Sequence, residues 1–132
     1  MLQPDTSNAR ISDTPAPAEC RQALGRLIES AEFQTAPRLT SFIRFVVDAA
    51  LSGRADTVKA YTVAVDALGR AADFDPARDS IVRVEAGRLR TALTRYYEGA
   101  GSDDPLLIAL PRGSYVPQFQ WRHGPPPALR SP

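Results

Sequence analysis

A chain of 132 residues, 43% of them apolar, has material for one core and therefore one domain. Its formal net charge is +1, and the cations are fifteen arginines and one lysine, Lys59. One cysteine (Cys20) and one histidine (His123) exclude an internal disulfide and a Cys/His metal cluster, and no stretch approaches the ~18 apolar residues of a membrane helix.

The opening Met1-Leu2-Gln3-Pro4-Asp5 lacks the basic-then-apolar pattern of a secretion signal, so a reducing cytoplasm is the expected location. Residues 1–16 are rich in Pro, Ser, Thr and Asp and read as a disordered arm. The spacing predicts a first helix over 17–32, with Pro17 in its first turn and Cys20, Leu24, Leu27, Ile28 and Ala31 as its buried face. A second helix is predicted over 37–52. Leu39, Phe42, Ile43, Val46, Val47 and Ala50 give it a wide apolar face, and Gly53 ends it. The third, 58–68, capped by Thr57 or Asp56, gathers Tyr61, Ala64, Val65 and Leu68 at helical spacing and stops at Gly69. Its β-branched residues leave a strand open for 61–65. A turn at 71–78 follows, with Phe74 as its anchor.

The fourth helix, about 80–98, is the most informative segment. Val82, Ala86, Leu89, Leu93 and Tyr96 recur at alternating spacings of four and three, which is one buried face. Arg88 and Arg95 lie roughly 230° around from that stripe, and Arg83 and Arg90 lie on its other flank. A helix with core on one side and guanidinium groups on the other suits a DNA major groove. A hairpin signal closes the domain: Leu106–Leu110, a turn at Pro111-Arg112-Gly113-Ser114, then Tyr115–Trp121. Residues 122–132, with Pro125-Pro126-Pro127, read as a disordered tail, which leaves 17–121 as the domain.

The segment Val82–Leu93, with Leu107-Ile108-Ala109-Leu110-Pro111-Arg112-Gly113-Ser114-Tyr115, resembles the DNA-binding domain of OmpR/PhoB-type response regulators. Arg88-Leu89-Arg90 matches that family's recognition-helix core, and Arg112-Gly113-Ser114-Tyr115 matches its wing signature with one residue fewer. A closer resemblance, over about 20–119, is to uncharacterised winged-helix-like segments at the N-terminus of some proteobacterial and acidobacterial repeat or cyclase proteins. It is carried by Phe74-Asp75-Pro76, by Ile81–Arg90 and by Leu110-Pro111-x-Gly113-x-Tyr115. The resemblance implies a mainly α winged helix-turn-helix: three helices, a long recognition helix and a two-stranded wing. No receiver domain or N-terminal sheet accompanies it here, so phosphorylation control does not carry over.

On this reading Arg88 reads bases, as the family's matching arginine does, by bidentate bonds to guanine. Arg83, Arg90 and Arg95 meet phosphates, and Ser80 and Thr94 offer further phosphate contacts. Gly87 lets the helix backbone approach DNA, and Arg112 enters the minor groove from the wing tip. Arg38 and Lys59, at the starts of helices two and three, read as solvated. Tyr96, Tyr97, Tyr115, Phe119 and Trp121 read as core. No nucleophile–base pair or phosphate-binding glycine loop is present, which argues against an enzyme and calls for no cofactor or metal. The expected function is sequence-specific binding of double-stranded DNA by a small bacterial transcription regulator at the nucleoid, working as a homodimer through helix one. The alternative is a winged-helix interaction module for RNA polymerase or another regulator.

Overall fold

Phe42, Ile43, Val46 and Val47 have no exposed surface, and the helix that carries them is the centre of the structure. In the computed structural model, residues 14–122 are described. Expectations for 1–13 and for 123–132 lie outside the described residues. The order is α1 (Pro17–Ile28), α2 (Ala31–Gln34), α3 (Pro37–Leu51), α4 (Ala60–Thr62, continued as a wider turn over Val63–Ala67), α5 (Ile81–Glu98), β1 (Leu106–Ala109) and β2 (Gln118–Trp121). The class is mainly helical with a C-terminal antiparallel hairpin, as expected at that coarse level.

The first helix breaks where the sequence reading ran it through. Ser30 is extended (φ −71°, ψ 158°), and its hydroxyl donates to the Leu27 carbonyl at 2.6 Å. A straight helix would place Phe33 roughly 240° from Leu27, facing away from the core. The break turns Phe33 inward, to 1% exposure, and leaves Ala31 exposed while Ala23 takes its place on the buried face.

Helix α3 follows the expectation, except that Ala49 is buried and Ala50 only half-buried. Gly53 (φ +77°) reverses the chain, and the Arg54 N–H returns to the Ala49 carbonyl at 2.8 Å. That bond satisfies a helix-end carbonyl and needs the left-handed residue before it.

The third predicted helix is shorter and wider than expected. The Leu68 N–H reaches back five residues to the Val63 carbonyl, at 3.0 Å. The face rotates as a result: Val63 and Ala64 are buried, Val65 and Leu68 are half-buried, and Tyr61 is exposed with its hydroxyl bonded to the Ala72 carbonyl.

Residues 68–80 lead into α5, with Phe74 half-buried against the core. Asp79 caps α5 by accepting the Ile81 N–H at 3.0 Å, and an Arg70–Asp79 ion pair (3.2 Å) steadies the approach. All five expected stripe residues of α5 are buried.

The hairpin pairs Leu106 with Trp121 and Ile108 with Phe119. The second strand is shorter than predicted. Pro117 cannot donate, and the Val116 N–H is already taken by Ser114 Oγ at 3.0 Å. Tyr115, expected on the strand, instead packs edge-on to Phe42 with ring centroids 6.1 Å apart.

Candidate nucleic-acid interface

Two faces of α5 make two depressions. The outward face of its first four turns, bearing Arg83, Gly87, Arg88, Thr91 and Arg95, forms one wall of a groove of about 590 Å³; Glu32, Thr35 and Leu39 form the other. The C-terminal half of α5 and the hairpin enclose a second cleft of about 500 Å³, lined by Arg90, Thr94, Leu107, Leu110, Arg112 and Arg122 among others.

The predicted site residues divide between these places. Arg83 and Arg95 are exposed on the groove and have no ion-pair partner among the described residues. Arg88 is beside them, with Nη1 donating to Glu85 Oε2 at 3.1 Å. Its side chain is still 65% exposed, so most of its donors face outward. Gly87 meets open space: a methyl group there would touch nothing within 4 Å. No contact inside the protein requires glycine at that position.

Two of the expected residues, Arg90 and Thr94, are engaged within the protein. Arg90 is a structural clasp. Its Nε donates to the Leu110 carbonyl (2.9 Å), and its Nη2 donates to the carbonyls of Pro111 (3.0 Å) and Ser114 (3.2 Å). A rigid fork with several donors is what lets arginine gather three carbonyls of one turn. The Thr94 hydroxyl donates to the Arg90 carbonyl at 3.1 Å, so its proton is engaged within its own helix. Ser80 is exposed at the N-cap of α5 but makes no side-chain cap bond there. Arg112 is exposed in the turn where it was expected, next to Gly113 (φ +81°), and has no ion-pair partner among the described residues. Lys59 is exposed at the start of α4.

Sequence reasoning missed two features. Glu85 is buried to 3% exposure although it is charged, and its Oε2 also lies 3.6 Å from Arg38 Nη1. The signal was legible: Glu85 is three residues after Val82 and four before Leu89, which puts it beside the apolar stripe. Val84 is 45% exposed on the groove, an apolar side chain among the arginines.

A buried network holds the far end of α5. Asp104 accepts both Arg26 Nε (3.0 Å) and Arg26 Nη2 (2.9 Å), the Tyr96 hydroxyl (3.0 Å) and the Leu106 N–H (3.1 Å). Burial pushes its carboxyl pKa up, but the hydrogen bonds from Arg26, Leu106 and Tyr96 outweigh that and hold it below the usual carboxylate range. Burial, then the bond to Asp104, pushes Tyr96 up to about 12. Tyr97 is also raised by burial, and its hydroxyl oxygen accepts the Ile108 N–H at 2.8 Å. Arg122, placed in the tail by the sequence reading, packs instead: its guanidinium lies 5.3 Å from the Tyr97 ring centre and donates to the Gly101 and Ser102 carbonyls.

Cys20 is buried, its thiol pushed up to about 11 chiefly by that burial, which disfavours the reactive thiolate. No group of three or more His, Cys, Asp or Glu side chains is gathered to hold a metal among the described residues. No helix there is long and apolar enough to cross a membrane. On α1, Arg21 and Arg26 are tied to Asp48 and Asp104, and the exposed large apolar side chains, Tyr61 and Val84, lie on other elements. Neither a family model, nor a curated protein, nor a solved structure matches the chain.

Proposed function

We propose that this chain is a winged-helix transcription regulator that binds double-stranded DNA with sequence preference. In this reading α5 enters the major groove and the hairpin tip reaches the minor groove. The observation that carries it is the outward face of α5: Arg83, Arg88 and Arg95 are exposed along one groove, and the opposite face is fixed in the core. Arg88 reads a base, Arg83 and Arg95 contact phosphates, and Arg112 contacts the minor groove or its phosphates. Arg90 acts indirectly, by setting the hairpin turn that carries Arg112. A dimer would raise the affinity of so small a footprint, and α1 offers it polar side chains.

Fluorescence anisotropy on random-sequence duplex at low and moderate salt tests the reading. Affinity should fall steeply with salt. Arg83→Ala, Arg95→Ala and Arg112→Ala should each lower the logarithmic slope by about 1. A folded sample that does not bind at low salt refutes the proposal. Val84 and Glu32 in the same groove favour the second reading, a protein partner such as RNA polymerase or another regulator. On that reading the arginine variants leave DNA affinity unaltered and abolish capture of the protein partner.

A further inference from the structure

Glu85 is the feature of the α5 face that DNA binding does not itself explain. A carboxylate near a phosphate-binding surface repels its ligand, and a buried one is costly without cationic partners. Here one oxygen, Oε2, serves two arginines on different helices. Arg88 Nη1 of α5 is at 3.1 Å and Arg38 Nη1 of α3 at 3.6 Å. The Glu85 side chain is 4% exposed, while the Arg38 and Arg88 side chains are 63% and 65% exposed. The negative charge therefore sits beneath the surface, and the positive charges sit above it. Arg83 and Arg95 have no such anchor among the described residues.

We propose that Glu85 is a positioning residue: from below the surface it fixes Arg88 and Arg38 as one paired cationic unit, which sets the base preference of the α5 face. The inference rests on the DNA-binding reading above. An unanchored arginine loses rotamer freedom when it is fixed on a base, and Glu85 meets part of that loss before DNA arrives. Arg38, read from sequence as solvated, becomes part of the interface through the shared oxygen.

Two measurements on the full chain test it. The first needs no DNA: side-chain nitrogen relaxation of the arginine Nε–H groups. In the wild type, Arg88 should be more ordered than Arg83 and Arg95, and Glu85→Gln should bring it to their level with the backbone spectrum unchanged. An Arg88 already as mobile as Arg83 overturns the positioning role, whatever DNA does. The second is selection from a randomised duplex pool, read by sequencing. Glu85→Gln should raise affinity for random duplex, because one negative charge leaves the face. It should also lose roughly tenfold of the discrimination at the base pair that depends on Arg88. Glu85→Gln combined with Arg88→Ala should discriminate no worse than Arg88→Ala alone. If Glu85→Gln returns the wild-type motif with undiminished enrichment, the inference is wrong and the DNA-binding reading stands. If the wild type binds no duplex at low salt, both fall. Arg38→Ala, at an exposed site, is the companion variant should Glu85→Gln melt early. It should reproduce part of the loss of discrimination, and undiminished discrimination overturns the inference.

Discussion

Replacing Asp104 by alanine removes the acceptor for four donors at once: two from Arg26, the Tyr96 hydroxyl and the Leu106 N–H. The cost divides unevenly. Tyr96 is 4% exposed and Leu106 is 1% exposed, so each is left with a buried donor, at about 1–3 kcal/mol apiece. Arg26 is 47% exposed and can turn to water, so its share is discounted to under about 1 kcal/mol. The sum, about 2–7 kcal/mol, is a large part of the 5–15 kcal/mol that stabilises an ordinary domain. Urea denaturation at neutral pH reads it directly. Tyr96→Phe should cost about 1 kcal/mol in the wild type but should recover about 1–3 kcal/mol on top of Asp104→Ala, because it removes the buried hydroxyl that has lost its acceptor. The acid limb supplies an independent check. The folded carboxyl titrates below its unfolded value of about 3.9, so its contribution is present above that pH and is lost as pH falls through the lower folded value. Asp104→Ala should flatten that limb. A loss below about 1 kcal/mol at neutral pH, or an unaltered acid limb, would refute the network's role.

Gly101→Ala places a methyl 2.2 Å from Tyr96 Cε2, and the ring is pinned by Asp104; a loss near the upper end of 1–3 kcal/mol is expected in thermal melts. Arg90→Ala frees three carbonyls of the hairpin turn. It should cost about 1–3 kcal/mol and speed hydrogen exchange of the Val116 N–H, and lysine should not rescue it because its single nitrogen cannot replace two separated nitrogens of a planar fork. Tyr96 should ionise near pH 12 by ultraviolet titration. The wild type should lose stability as pH rises from about 10 towards that value, since the unfolded tyrosine gives up its proton first, and Tyr96→Phe should reduce this loss to the share contributed by Tyr97, which burial also raises.

What the sequence displayed well was periodicity backed by many residues. Helix α5 keeps its apolar spacing for five turns, and α3 nearly as long, so their buried faces were read almost residue by residue. Short-range choices were harder to see. Ser30 looks like a helix residue until Phe33 is known to need the core, and the wide turn at Val63–Ala67 keeps a helical composition while shifting its face. Side-chain destinations were least visible. Arg83 and Arg90 share a flank of one helix, yet Arg83 faces the groove and Arg90 meets three carbonyls more than twenty positions away or close to it. Only the docked hairpin tells them apart. Glu85 shows the same limit, because its second arginine comes from another helix.

The tie between Arg26 and Asp104 joins residues 78 positions apart, and it fastens α1 to the loop that leads into the hairpin. A chain emerging from the ribosome through Glu98 has its helices but no Asp104, and so lacks the acceptor for Arg26 and Tyr96. The contacts at this end of the domain therefore wait for the loop and hairpin to emerge, and a nascent chain stalled before them would leave the apolar end of α5 uncovered.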